Sequence, residues 1–426
     1  MLAVPPRGPE GRTGRVVRGS VRWPRPIVVL IAVATLAAAC GGDGPSVEFV
    51  EGATPEPTAA SEVESTPVPT GDPTATPAPD QPTAEATATP EPEPTTEPTP
   101  AAEAPRLGRV FPVGSEPHRP LATGTIFWVP NIGEDTVTRI DTTTAEQTTI
   151  VVGQRPDTGV EADGAVWFPA RDDETLVRVG LDDLTVTPIA VGPNADTPIL
   201  AADHLWVPVR DAQAMVVIDP STTTVVQRIE LNGRPLTPLM LDGALWFVTR
   251  DDDMLHRVDL ATFDPVVPVA TQQIRVGRDP DRAVEAAGRL WVPARRGNVV
   301  TVVDPTDLTI VASIPVGARP DTPVVTPGLV WVPNLDGTTV TVIDAETLDV
   351  VADVEVGSEP RTGVASDDFV WIPVLSNDFM AQLSIADLGF VGGFGVGLSP
   401  DTPSLIDGVL WVPAKGSDTI TEITLR

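Results

Sequence analysis

The sequence predicts an all-β domain built as a single β-propeller of eight four-stranded blades closed into a ring, and three observations predict it. Tryptophan recurs with a period near forty residues, each copy carries four β-rich phrases, and the two ends of the repeat region complete one another. Eight of the nine tryptophans stand at Trp128, Trp167, Trp206, Trp246, Trp291, Trp331, Trp371 and Trp411, spaced 39, 39, 40, 45, 40, 40 and 40 residues apart. A fixed period of this length is the mark of a repeat architecture.

Each tryptophan sits in a short phrase: IFWVPN, AVWFPAR, HLWVPVR, ALWFVTR, RLWVPAR, LVWVPN, FVWIPV and VLWVPAK. A second strand phrase follows about ten residues later, such as TVTRID, MVVIDP, VVTVVD or TVTVID. After a turn (PSTTT, AETLD) comes a strand ending in Val-Gly, as in VASIPVG and VADVEVG. A further segment such as PDTPVVTPG leads into the next tryptophan. Four short strands per forty residues, with β-branched residues in the strands and Asp, Gly and Pro in the turns, is the period of a propeller blade. Helical periodicity is absent, which sets helical solenoids aside.

Closure follows from the ends. The last copy runs to TITEITLR without a Val-Gly strand, and the first ordered strand, RVFPVG at Arg109 to Gly114, has no blade of its own. Joined, they complete one blade and leave no open sheet edge. A seven-bladed ring would leave one tryptophan copy unexplained. The tryptophans are read as structural: a large ring at one strand position of every blade packs between blades, each burying about 150–250 Å². The other reading, docking of a flat cofactor as in eight-bladed quinoproteins, calls for a different tryptophan phrase and a metal site. No cofactor and no metal site are therefore expected.

Residues 329–360, LVWVPNLDGTTVTVIDAETLDVVADVEVGSEP, carry a resemblance to the YVTN family of surface propellers. That family's unit runs through a Tyr-Val-x-Asn phrase, a T-V-x-V-I-D strand and an I-P-V-G-x-x-P strand. The resemblance spans 109–426, with tryptophan replacing tyrosine in every copy. The phrase DGALWF, Asp242 to Phe247, is also similar to the streptogramin (virginiamycin B) lyase propellers. Both resemblances imply the fold more than the function, because the shared residues are structural. Lyase activity in that family requires paired histidines with a glutamate and a divalent metal late in the chain, and no histidine follows His256 here.

The residues before the repeats read as an address. Residues 1–25 carry six arginines against one glutamate, and Ile27 to Ala39 is a run of thirteen uncharged, almost wholly apolar residues. A spanning helix needs about 20 residues, so this run has the length of a signal h-region. It ends at Cys40-Gly41-Gly42, which resembles a bacterial lipoprotein signal with Cys40 as the lipidated new N-terminus. Ala37 stands where leucine is usual, and Leu36 lies one place earlier. The expectation is a signal peptide over 1–39 and a chain anchored outside the cytoplasm. An uncleaved signal anchor is the other reading and gives the same compartment. Residues 40–105 are rich in Pro, Thr and Glu, with thirteen acids and no Lys or Arg over 41–105. Such a composition cannot build a core and is expected to be a disordered, extended stalk. At ~3.1 Å per residue it would reach on the order of 190 Å.

Residues 106–426 hold 45 acids against 22 basic residues, a balance of −23, within a chain of net charge −31. That balance disfavours nucleic acid and anionic lipid headgroups as partners, leaving the lipid anchor as the membrane contact. A monomer is expected. With Cys40 alone, no internal disulfide and no multi-cysteine metal or haem motif exists.

Chemistry is sought in the loops. After each Val-Gly strand comes a phrase around proline: EPHRP, RPDTG, NADTP, RPLTP, DPDRA, RPDTP, EPRTG and SPDTP. Five copies place an aspartate at one aligned position, Asp157, Asp196, Asp281, Asp321 and Asp401; the others have His118, Leu236 and Arg361. The next residue is threonine in six copies: Thr158, Thr197, Thr237, Thr322, Thr362 and Thr402. Four residues after the tryptophan stands a base in five: Arg171, Arg210, Arg250, Arg295 and Lys415. Two rings of opposite sign are thereby expected to line one mouth of the central channel. In the structural reading, exposed Asp–base pairs worth ~0–1 kcal/mol tie blades together. In the functional reading, guanidinium forks and carboxylates hold an anionic or hydroxyl-rich ligand, or a protein partner. The irregular copies, with His118, Leu236, Leu335, Arg361 and Leu375, would give the site its direction. Of the histidines, His204 is read as replacing a hairpin glycine, His256 lies in a strand phrase, and His118 alone is placed at the mouth. The acidic runs Asp251-Asp252-Asp253 and Asp172-Asp173-Glu174 lack the spacing of a calcium loop and read as solvated turns. No catalytic residue is assigned. The expectation is a cell-surface binding module; the alternative is a propeller enzyme or cofactor-dependent redox protein with its site at the mouth.

Overall fold

The computed structural model describes residues 105–425 apart from Pro268. Cys40, the expected signal peptide and the expected stalk lie outside these residues. The described part is the eight-bladed ring: thirty-two strands form eight separate four-stranded antiparallel sheets. We number the blades 1 to 8 after their tryptophans, Trp128 to Trp411.

Blade 1 shows the local logic. Its strands are Leu121–Thr123, Ile126–Asn131, Thr136–Asp141 and Gln147–Val151, paired in that order. Short first strands of neighbouring blades contact one another, as Val160–Ala162 does Ile199–Ala201 and Val284–Ala286 does Val324–Thr326, so these strands form the innermost ring. The segment leading into each tryptophan thus belongs to that tryptophan's own blade, as its innermost strand. Tight two-residue turns join it to the tryptophan strand. Asp163-Gly164, Asp242-Gly243 and Ala287-Gly288 all have positive φ at both positions, the type I′ geometry that favours Asn or Asp before Gly. In five blades the third strand ends in an aspartate whose carboxylate accepts the amide two residues on, as the Thr143 amide donates to Asp141 at 2.8 Å and that of Thr306 to Asp304 at 2.8 Å. This Asx turn explains the recurring Ile-Asp and Val-Asp endings. In blade 1 the buried Val152 and then Gly153 follow the outermost strand; Gly153 has φ 100°, and a Cβ there would lie 2.5 Å from Asp173 Oδ2.

Eight hydrophobic clusters fill the eight seams between blades, and each contains one repeat tryptophan. Trp128 packs with Phe168, Val177 and Val179 of blade 2, and Trp331 with Val370, Ile372 and Leu383 of blade 7. Burial of 150–250 Å² at ~25 cal/mol/Å² is worth about 4–6 kcal/mol per ring. In seven of the eight blades the indole N–H is satisfied five residues upstream, at the end of the innermost strand. Trp128 donates to Thr123 Oγ1 at 2.8 Å, Trp167 to the Ala162 carbonyl at 3.0 Å and Trp331 to Thr326 Oγ1 at 3.0 Å. One residue type thus fills the seam and clamps the strand that lines the channel.

The ring closes as the sequence predicts. Arg106–Pro112 pairs antiparallel with Thr419–Thr424 and supplies the outermost strand of blade 8. Phe111 and Phe127 lie against Trp411 at centroid distances of 5.9 and 4.3 Å, so the last seam is as apolar as the others. The long 45-residue spacing falls in blade 4, where a 3-10 turn, Leu260–Thr262, precedes the outermost strand Gln272–Arg275. Phe263 from this insertion packs on Trp206 at 4.9 Å.

Candidate functional site at the channel mouth

The aligned loop positions are equivalent in space because the backbone makes them so. In every blade the residue at the aspartate position donates its amide to a carbonyl two residues past the tryptophan. Asp157 bonds to Pro169 at 3.0 Å, Asp281 to Pro293 at 2.8 Å and Arg361 to Pro373 at 3.0 Å. The base position returns the pairing: the Arg295 amide donates to Asp279 at 3.0 Å and that of Lys415 to Ser399 at 3.1 Å. Two concentric rings, eight residues each, therefore lie side by side around a cavity of about 360 Å³ lined from all eight blades.

The aspartate ring is not exposed as expected. Asp157, Asp196, Asp281, Asp321 and Asp401 are each no more than 6% accessible. Eight blades converge here, and each covers its neighbour's carboxylate. The bases reach them within and across blades. Arg171 pairs with Asp157 of its own blade and Asp196 of the next, the latter at 3.4 Å. Arg295 likewise joins Asp281 and Asp321, the latter at 2.7 Å. Arg210 meets Asp196 at 2.5 Å and Lys415 meets Asp401 at 2.6 Å. Blade 4 has Leu236 in place of aspartate, and its Arg250 reaches forward to Asp281 at 3.2 Å.

Blade 1 lacks the base, having Ile132, and carries His118 at the aspartate position. The imidazole spans the gap, with Nδ1 3.0 Å from Asp157 and Nε2 3.2 Å from Asp401. In blade 6, where Leu335 replaces the base, Asp321 accepts the Thr362 amide at 3.2 Å. Burial alone would raise the carboxyls of Asp157, Asp196, Asp281 and Asp401, and the cations outweigh it. Arg171 and His118 hold Asp157 well below the usual carboxylate range, and Arg210 with Arg282 lowers Asp196. Arg295 and Arg250 depress Asp281, and His118 with Lys415 brings Asp401 down to about 2.

Three cations stand apart. Arg361, in blade 7, takes the place of an aspartate and makes no side-chain ion pair among the described residues. Its Nε is buried without a partner, as are those of Arg171, Arg210, Arg250 and Arg295. Arg119 and Arg282 occupy the threonine position in blades 1 and 5 and line the mouth. Arg282 comes to 4.0 Å from Asp196. Sequence reasoning passed over Arg119 and Arg282, although an alignment with threonine in six of eight copies marks them as the two exceptions. It also passed over an outer rim of exposed pairs, Arg155–Asp172, Arg234–Asp251 and Arg319–Asp336, at 3.2, 2.9 and 3.2 Å.

The remaining candidates lie elsewhere. His204 does not replace a hairpin glycine: Asp203, with φ 59°, holds that turn position, and His204 begins the tryptophan strand with Nδ1 2.7 Å from the Ala202 carbonyl. His256 is buried, stacked on Phe247 at 4.9 Å, with Nε2 2.9 Å from Thr249 Oγ1. The acidic runs staple loops. Asp251 holds Arg234, Asp252 accepts from Thr249 and Asp253 pairs with Arg275, while Asp173 accepts the Gln154 amide at 2.8 Å. Among the described residues no group of three or more His, Cys, Asp or Glu is placed to hold a metal. A separate cavity of about 380 Å³ is lined by blades 7 and 8 and the adjoining Pro105, including Asp367, Asp368, Phe369 and Trp371. It lacks the convergence of charge found at the mouth.

Fold and site together define an eight-bladed β-propeller with a charged, multiply bridged channel mouth. Among solved structures the chain is similar to the computationally designed Ika8 protein, with TM-score 0.62 and 11% identity over 74% of this chain and 98% of that one. It is similar to BamB from Moraxella catarrhalis, with TM-score 0.61 and 11% identity over 76% and 98%. A third is the dihydro-heme d1 dehydrogenase NirN in complex with DHE, with TM-score 0.58 and 17% identity over 75% and 76%. At these identities the likeness is one of fold. No family model matches the chain, and no curated protein matches it.

Proposed function

We propose that the protein is a non-catalytic binding module of the YVTN surface-propeller kind, held outside the cytoplasm by a lipid on Cys40 and a Pro/Thr/Glu-rich stalk. It engages a polar ligand or a protein partner through the mouth of the channel. The observation that carries this reading is the 360 Å³ cavity, to which all eight blades contribute polar or charged side chains. Recognition sites are concave, with a few polar groups converging from rigid elements. Here the rings are fixed by backbone pairing, so a ligand meets donors already in place.

The ring bases are largely engaged by carboxylates. Changing Arg171, Arg210 and Arg295 together to Ala would therefore remove structural bridges along with any ligand contact. A cleaner test screens the full chain by thermal shift against sugars, cell-wall fragments and small anions, beside a Thr197→Val/Thr237→Val variant that alters the lining without touching an ion pair. A ligand that binds only the folded state raises its melting temperature saturably. Loss of that rise in the variant supports binding at the mouth, and an equal rise in both refutes it. Address is tested separately: expressed in a bacterial host that lipidates proteins, the wild type should gain a lipid mass and partition with membranes. Cys40→Ser should do neither, and membrane partition of Cys40→Ser would overturn the anchor.

A further inference from the structure

We infer that the channel mouth holds a small oxyanion carrying two or more negative charges, gripped between Arg119 and Arg282 from opposite sides of the ring and completed by Arg361. The inference rests on the reading of the mouth as a binding surface and names the chemistry of what binds there. Blades 1 and 5 are half a ring apart in an eight-bladed circle, so the residues following His118 and Asp281 approach the channel from opposite walls. In six blades this position is threonine, and only in this opposed pair is it arginine.

The charge at the mouth is unbalanced. The aspartate, threonine and base positions of the eight blades carry seven arginines and one lysine against five aspartates, an excess of three, in a region whose own balance is −23. The surplus matches Arg119, Arg282 and Arg361 in number, and these are the cations outside the base ring. Arg282 is offset by Asp196 and Asp281, which raise it despite burial. Arg119 is lowered by desolvation within the mouth and by the like charge of Arg282, with only Asp157 acting the other way. Arg361 adds a buried Nε donor without a partner. Arg119 is exposed and Arg282 half-buried, so both guanidinium groups are open to a ligand, and like charges converging on one cavity are relieved when an anion sits between them.

Guanidinium forks match carboxylate and phosphate oxygens in pairs, which fixes the class of ligand. Its size follows from the cavity and from the surroundings. A space of about 360 Å³ admits an ion of the size of phosphate or citrate with water beside it, while the acidic surface repels an extended polyanion.

The test uses the full chain at constant ionic strength, titrated with inorganic phosphate, with citrate, and with sodium chloride as control, read by thermal shift and by isothermal titration. The wild type should show a saturable rise with phosphate or citrate and none with chloride, and whichever is tighter tells phosphate from carboxylate recognition. R119T/R282T restores the threonine of the other six blades; it should weaken binding at least 30-fold while its unliganded melting temperature stays level or rises. Should that double variant fold poorly through loss of the Arg282–Asp196 contact, R119T alone, which breaks no ion pair among the described residues, should weaken binding at least 10-fold. Equal binding by wild type and R119T, or no anion response in the wild type, would overturn the inference. A sugar or other neutral ligand bound at the mouth with no anion response would overturn it while leaving the binding-module reading standing.

Discussion

Arg295 Nη2 crosses from blade 5 to blade 6 and donates to Asp321 at 2.7 Å, in a mouth where both side chains are at least four-fifths shielded from solvent. The same guanidinium holds Asp281 of its own blade. Removing it leaves two buried carboxylates short of a cation, and breaking a buried pair costs about 3–5 kcal/mol. Arg295→Ala should therefore lower the urea midpoint strongly. Arg319→Ala, which breaks the exposed pair with Asp336, should cost ~1 kcal/mol or less. Urea unfolding of the two variants side by side checks the contrast, and equal losses would mean that the mouth pairs contribute no more than surface ones.

Closure of the ring is a second point of leverage. Phe111 is 5% accessible and packs on Trp411, while its neighbour Val110 is 58% accessible on the outermost strand of blade 8. Phe111→Ala should cost about 3–5 kcal/mol by leaving a cavity in the last seam. Val110→Ala should cost ~0.5 kcal/mol or less. Hydrogen exchange adds a spatial reading: in Phe111→Ala, protection should fall first in Thr419–Thr424, the strand that Arg106–Pro112 covers.

The ring and its closure were legible because they are written redundantly, eight tryptophans at one strand position and a Val-Gly strand missing at one end and spare at the other. The backbone equivalence of the aspartate and base positions was legible for the same reason. Burial of the pairs was not. Asp157 and Asp196 read as loop residues one blade at a time, and only convergence of the blades shields them. His204 was misplaced by one residue because Ala202-Asp203 forms its turn without glycine, with φ 47° and 59°. Arg119 and Arg282 were missed for a different reason. They stand far apart in the chain, and their opposition exists only once eight blades close the circle.

A tight backbone approach yields a third expectation. The innermost strand of blade 7 is only Val364–Ala365, and it starts beside Gly363, where an added Cβ would fall 1.8 Å from the Trp371 carbonyl oxygen. The clash is with backbone, so the strand itself must move away from its tryptophan partner. Gly363→Ala should lower the melting temperature by several degrees, equivalent to about 2 kcal/mol or more. Gly392→Ala meets nothing within 4 Å on the outermost strand and should be neutral or slightly stabilising. A tolerated Gly363→Ala would show that the channel lining yields more readily than the seams behind it.

His256 makes stability depend on pH in a defined window. Burial against Phe247 brings its pKa from 6.5 to about 4, with Asp252 opposing weakly. Between those values the unfolded chain binds a proton that the folded chain does not, so unfolding is favoured as pH falls. The contribution is fully present above pH 6.5, declines as the pH drops toward 4, and is spent below that. A shift of this size corresponds to about 3 kcal/mol across the window. His256→Gln removes the titrating group. The wild type should therefore lose stability between pH 6.5 and 4 more steeply than the variant, by up to this amount, in urea midpoints taken at half-unit steps. Parallel slopes in the two proteins would mean that the imidazole titrates alike in the folded and unfolded chains, and that its burial against Phe247 costs the charged form nothing.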